Sequence, residues 1–389
     1  MNPGVPLAST AAQLMAKARE VTGIDRHDEE IGTPLEILVA AFNGESRLTA
    51  RGAIEMERKL LRLLCNRLRL ERDFERHPEI DEQVITTPVL LCGLPRTGTT
   101  KLQHVLAVTG DFNWLPLWQA CNPALITGDR NESPQPRIND ADAFWTWFNE
   151  ASPEARRGHS FEALEPDEDT HIMEHCFVSS PFFAYSEVPS YMQWLTLQDP
   201  MLQFLYLRRT LKYLQWQGLQ REGRPWVLKC PLNVSMQPQL REVFPDSALV
   251  MTHRDPKELV ASSSSLMDSF HKPFTNHNGN HAALAEGFAL QLDAHLANRT
   301  AHPELNLLDV HYRCVVHDIE ATVAKIYQRI GIQFNSATSK CLRAWEAQHV
   351  QHRHGAHRYS LADYGFDEVA LDSRFSGYLH LMRSLFASA

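Results

Sequence analysis

Residues 88–100 read PVLLCGLPRTGTT, and this stretch decides the fold. Positions 88–92 are apolar throughout and too few for a helix, as a strand buried on both faces should be. Gly93 and Gly98 then bracket a turn tight enough for successive backbone N–H groups to point inward. A helical pattern opens at Thr99, so the positive end of its dipole falls at the same place. Thr97, Thr99 and Thr100 add hydroxyl groups, and Arg96 adds a planar guanidinium fork. Strand, glycine turn and helix in this order form the context that a phosphate-binding loop requires.

The spacing matches the nucleotide-triphosphatase pattern G-x-x-x-x-G-K-[ST] except that Thr99 stands where that pattern has lysine. Without that lysine the β- and γ-phosphates lose their main protein cation, which disfavours an ATPase or GTPase. A plain glycine turn joining strand to helix is the simpler alternative.

Outward from the loop, 226–229 (WVLK), 248–252 (ALVMT) and 307–310 (LLDV) read as further short buried strands. Helical patterns cover 99–109, 233–243, 255–269 and 318–331. This alternation predicts an α/β protein with a parallel sheet and right-handed crossovers. Residues 111–224 form an insertion rich in aromatic residues and proline, with helices expected at 138–149, 166–176 and 199–217. The polar segment 128–139 (GDRNESPQPRIN) reads as a mobile loop.

Upstream, 9–77 reads as helical. Ser9 or Thr10 can cap the first helix, Pro34 suits the first turn of a second, and 50–76 is a long amphipathic helix ended by Pro78. The apolar face of 50–76 can cover its own domain or a second copy, so a homodimer contact stays open. The expected organisation is an N-terminal helical extension over 1–85, then one domain over 86–389 carrying the 111–224 insertion.

The composition, 43% hydrophobic and 22% charged, is that of a soluble globular protein. A net charge of -9 weighs against nucleic acid as partner. The seven cysteines are scattered without a C-x-x-C pair, which reads as reduced thiols in a cytoplasmic protein. No signal-peptide pattern opens the chain, and no apolar run is long enough to span a membrane.

Residues 95–100 (PRTGTT) resemble the 5′-phosphosulfate loop of sulfotransferases, P-[KR]-[ST]-G-[ST]-[TS]. A second signature follows a strand: Thr252-His253-Arg254-Asp255-Pro256, with Ser262 eight residues beyond Arg254. It is similar to the arginine and serine with which that family holds a 3′-phosphate. Residues 226–231 (WVLKCP) are similar to its W-x-L-K-[ST]-P element, with Cys230 replacing the hydroxyl residue. Residues 211–216 (LKYLQW) and 354–361 (HGAHRYSL) resemble two more of its elements, so the likeness runs over 88–366. It implies the sulfotransferase fold, a P-loop-type parallel sheet flanked by helices. It also implies 3′-phosphoadenosine 5′-phosphosulfate as sulfate donor, a small-molecule acceptor and no metal. On this resemblance Pro95, Arg96, Thr97, Gly98, Thr99 and Thr100 hold the 5′ end of the donor. Arg254 and Ser262 take its 3′-phosphate, and Arg358 and Tyr359 lie near the adenosine or that phosphate. Read from the residues alone, Arg254 could instead pair with a surface carboxylate, and 262–265 could be an exposed polar face.

Sulfuryl transfer is an in-line displacement that needs a base for the acceptor proton and cations for charge on the departing phosphate. Arg96 and Lys229 are the candidate cations, although Lys229 could equally form a structural salt bridge at its strand end. The base should come from 162–175 (EALEPDEDTHIMEH), with Glu165 ranked first and His171 second. If Pro166 opens a helix, Glu168, His171 and His175 share one face. The acidic run would also arise simply to favour the helix dipole. His349, His352, His354 and His357 are closely spaced, but Gly355 interrupts them and no cysteine or carboxylate completes a set, so no metal is expected. The aromatic insertion suits an apolar or ring-bearing acceptor, with 181–185 (PFFAY) as a candidate wall. A non-catalytic nucleotide-binding protein and a small-molecule kinase on the same fold are the competing readings.

Overall fold

The computed structural model describes residues 4–26, 28–349 and 360–387. It divides into two compact units. One comprises Ile85–Trp114, Gly223–Ser265 and Asn280–Ala389, and it carries the sheet. Five parallel strands lie in the order β2-β3-β1-β4-β5, with β1 Val89–Cys92, β2 Asn113–Trp114, β3 Trp226–Lys229, β4 Ala248–His253 and β5 Leu308–His311. The central strand β1 pairs Leu90 with Leu228 on one side and with Leu249 on the other. β1, β3 and β4 are buried along their whole length, which is why their sequences are apolar without alternation. β5 is only half-buried, as an edge strand can be. The two-residue β2 was not expected, because two residues cannot display a period.

Val89, Leu91, Val227, Val250 and Val310 pack one sheet face against Leu102, Val105 and Leu106 of the helix Thr99–Val108. Val315, Ile319 and Val323 close the same core. The helix expected over 233–243 begins only at Gln237, where Pro238 can occupy its first turn without costing a hydrogen bond.

The other unit comprises Met1–Val84, Leu115–Glu222 and Leu266–Gly279, and it is built from helices. The N-terminal helices and most of the long insertion therefore share one unit. Thr10 caps the helix Ala11–Thr22 in a capping box with Gln13. Pro34 does not open the next helix but lies inside Glu29–Gly44, where it removes the bond its N–H would have made to Glu30 O. Ala50–Arg76 runs for 27 residues, and its Leu60, Leu63, Leu64 and Leu68 are buried in this unit's own core. Those leucines are therefore packed within the unit itself. The segment read as a mobile loop is tied down, with the Glu132 carboxylate accepting hydrogen bonds from Ile126 N, Thr127 N and the Thr127 hydroxyl at 2.8, 2.8 and 2.7 Å. A helix then starts at Gln135.

Aromatic packing dominates this core: Trp145 stacks on Phe161 at 4.0 Å and meets Phe144 and Phe148 edge-on. Inside it lies a buried ion pair. Lys59 Nζ donates to Glu174 Oε2 at 2.6 Å, and the Tyr185 hydroxyl donates to Glu174 Oε1 at the same distance. Burial by itself would raise the Glu174 carboxyl, but Lys59 and His171 hold it well below the usual carboxylate range. Burial lowers Lys59 against the attraction of Glu174. Burial and the neighbouring carboxylate both raise Tyr185.

Candidate functional site

The loop leaves β1 through Gly93, whose φ is 145°. A Cβ there would sit 2.1 Å from Thr252 Oγ1 and 2.8 Å from Thr97 Oγ1, so no other residue fits. Those two hydroxyls meet at 2.6 Å, and Thr97 also donates to Leu94 O at 2.7 Å. The loop is thereby tied to the end of β4. Arg96 and Gly98 both take positive φ, 70° and 92°. Arg96 is a non-glycine residue held in a sparsely populated conformation, a form of strain that concentrates at ligand sites. Gly98 is the N-cap of Thr99–Val108, and no side chain caps that terminus. Its first N–H groups are thus open to an anion along the positive end of the dipole.

Around this terminus the structure brings four of the predicted residues together. Arg96 Nε donates to Ser262 Oγ at 3.1 Å. Arg254 Nη1 donates to the Arg96 carbonyl at 2.9 Å. Lys229, 1% exposed at the end of β3, donates to Thr100 Oγ1 at 3.2 Å. Arg254 also forms a 2.7 Å ion pair with Glu258, so it does meet a surface carboxylate, and its guanidinium lies 4.2 Å from the centre of the Tyr312 ring. Ser262 and the two serines after it are buried, so 262–264 is not an exposed polar face. Cys230, also buried, donates its backbone N–H to Leu91 O at 3.3 Å. Its backbone, not its side chain, continues the β1–β3 pairing.

Sequence reasoning missed the groups behind Arg254. His253, fully buried, has Nδ1 2.9 Å from the Tyr378 hydroxyl and Nε2 2.9 Å from Asp309 Oδ1. Arg299 grips the same Asp309 with two hydrogen bonds of 2.8 and 3.1 Å. Burial pulls His253 below its ordinary value, against the pull of Asp309. His253 stands in the quoted motif, yet its hydrogen-bond partners come from β5 and the helix Ser376–Phe386, and no spacing rule links them.

The two base candidates belong to the helical unit. Pro166 does not open a helix. It pairs with Pro116 in an isolated antiparallel bridge, and Asp167 N donates to Leu115 O, so the α-helix is delayed to Thr170–Met173. Glu168 therefore precedes the helix instead of sharing a face with His171 and His175. Glu165 is exposed. His171 is buried between two carboxylates, 3.8 Å from Asp167 and 3.7 Å from Glu174. His175 is fully buried, and burial pushes it down to about 3. In the proposed acceptor wall, Phe182 lies in the core against Phe42 and Tyr191, and the Tyr185 hydroxyl is engaged by Glu174. Arg358 and Tyr359, with His352, His354 and His357, lie outside the described residues. No group of three or more metal-ligating side chains occurs among the described residues.

The sulfotransferase family matches residues 88–336, most of the chain. The chain belongs to the sulfotransferase family. It is a transferase by that membership. A solved sulfotransferase of Mycobacterium tuberculosis is 26% identical, with 95% of this chain and 99% of that one covered and a TM-score of 0.76. A sulfotransferase of Mycobacterium avium is 24% identical over 96% of both chains, with a TM-score of 0.81, and shares the fold. No curated protein matches the sequence. Among the described residues, no helix is long and apolar enough to cross a membrane.

Proposed function

We propose that this sulfotransferase moves a sulfuryl group from 3′-phosphoadenosine 5′-phosphosulfate to a hydroxyl or amine of a small, apolar or ring-bearing acceptor. The observation that carries this reading is the uncapped helix terminus at Gly98, with Arg96, Lys229, Arg254 and Ser262 gathered at the carboxyl ends of β1, β3 and β4. In an open parallel sheet, ligands bind at those strand ends. The donor supplies an activated sulfuryl group, whose transfer needs no metal.

The 5′-phosphate would lie on the backbone N–H groups at 98–100, with Thr99 and Thr100 as hydroxyl partners. Arg96 and Lys229 would stabilise charge gathering on the bridging oxygen, and the buried ammonium is strongest where water is excluded. Arg254 and Ser262 would bind the 3′-phosphate. His253, fastened by Asp309 and Tyr378, would keep Arg254 at the strand end. Glu165, exposed and followed by proline, is the first choice to take the acceptor proton, and His171 the second. By resemblance alone, Arg358 and Tyr359 would serve the adenosine or its 3′-phosphate. A cytoplasmic location fits seven free thiols, five of them buried.

Calorimetry with adenosine 3′,5′-bisphosphate and with ATP–magnesium tests the donor. Tight binding of the bisphosphate, weakened about 10- to 100-fold in Arg254→Ala, is expected from the loss of charge-assisted bonds. A preference for ATP–magnesium would sink the reading in favour of a kinase.

A further inference from the structure

The long N-terminal helix carries a feature that sulfuryl transfer does not use. Arg58, Arg62 and Arg69 recur on one face of Ala50–Arg76, at spacings of four and seven residues. They line a cavity of about 270 Å³ that Arg137 enters from the helix Gln135–Ala151. Val21, Leu61 and Ile126 supply apolar wall, and Asp140 is the one carboxylate in the lining.

The charges do not balance. Asp140 reaches Arg58 at 3.6 Å and Arg62 at 3.8 Å, contacts too long for hydrogen bonds, while it accepts one from Asn122 Nδ2 at 3.1 Å. Glu55 is 3.8 Å from Arg58 but lies closer, at 2.6 Å, to Arg51. Arg69 has no carboxylate within ion-pair distance among the described residues. Arg62 is 10% exposed, and its Nε and Nη2 are buried without a hydrogen-bond acceptor. Arg137 is 3% exposed and its Nε has none either, the nearest carboxylate being Glu132 at 3.7 Å. Burial lowers the Arg137 guanidinium below its usual value in spite of Glu132, as expected where counter-charge is short. Like charges four apart on a helix also oppose its formation. A fold seeking only stability would not collect them here.

We propose that this cavity is a second binding site, distinct from the loop at 93–100, for an anionic amphiphile: a short apolar body ending in a sulfate, phosphate or carboxylate. The oxyanion accepts from Arg62, Arg69 and Arg137, and the apolar body lies on Leu61 and Ile126. The volume limits the occupant to a small molecule or one end of a larger one. Neither the arginines nor the cavity depends on the identity of the sulfate donor.

The test is calorimetry of the full chain with octyl sulfate, octanoate, octyl glucoside and inorganic sulfate, with adenosine 3′,5′-bisphosphate saturating to block the nucleotide site. Octyl sulfate and octanoate should bind at one saturable site, with inorganic sulfate and the neutral glucoside at least about tenfold weaker. Arg62→Met and Arg69→Met should each weaken octyl sulfate by about tenfold. Arg69 is partly exposed and makes no ion pair among the described residues, so its replacement should leave the fold intact, as circular dichroism will check. The proposal is overturned by octyl glucoside binding as well as octyl sulfate, by affinity unchanged in both variants, or by no saturable binding. Octyl sulfate binding that disappears when the bisphosphate is present also overturns it, by returning the anion to the nucleotide site, whatever becomes of the sulfotransferase reading.

Discussion

Two lysines in this chain are equally hidden from water and held in opposite ways. Lys59, in the helical unit, is clasped by the Glu174 carboxylate, which Tyr185 also engages. Lys229, at the end of β3, meets the hydroxyl of Thr100 in the helix Thr99–Val108. The first arrangement closes its charge on itself, and a buried pair so completed is architecture. On the proposed function, the second offers its charge to a hydroxyl that an incoming phosphate would replace. Burial is the same for both; what differs is the chemistry of the neighbour.

Substitutions can break this contrast. The largest effect is expected at Lys59→Met, which strands Glu174 as a buried, uncompensated charge and should cost about 3–5 kcal/mol of unfolding free energy. Denaturant titration will measure it, and adding Glu174→Gln should recover a large part. If the single variant is as stable as the parent, the pair is not the structural element described here. Lys229→Met should do the reverse, with stability close to the parent but turnover down by roughly 10²–10³. Equal losses of folding and turnover would remove the distinction between the two lysines.

A smaller effect appears with pH. His175 is held down to about 3 against an ordinary 6.5, so between these values the unfolded chain binds a proton that the folded chain refuses. Stability is unaffected above 6.5 and falls as the pH drops below it, by at most about 1.4 kcal/mol per pH unit from this residue. Thermal melts from pH 7.5 to 4.5 should show the decline, and His175→Phe should flatten it. The least of the effects concerns Thr10→Ala, which opens the capping box and should cost about 1 kcal/mol, readable as a small drop in melting temperature.

Much of the sheet-bearing unit was legible along the chain. The runs at 226–229 and 248–252 lie on β3 and β4 because strands buried on both faces must be apolar without interruption. Gly93 and Gly98 announced the loop, since only glycine tolerates the close approach at 93. These are local requirements, written within a few residues of where they act. Pro166 misled for the opposite reason: a proline is compatible with a helix start, but a bridge to Pro116 from far along the chain captured that segment first.

The pairings across long separations could not be read that way. Arg96 meets Ser262, His253 meets Asp309 and Tyr378, and Lys59 meets Glu174, each through the packing of elements distant in sequence. The same holds for the arginines around the cavity, whose surplus charge emerges only once Arg137 is folded against them. Sequence pattern specifies which face of an element is apolar and where the backbone must turn, because those are properties of adjacent residues. Which charge finds a carboxylate, which a hydroxyl and which a cavity depends on distances that exist only in the packed chain.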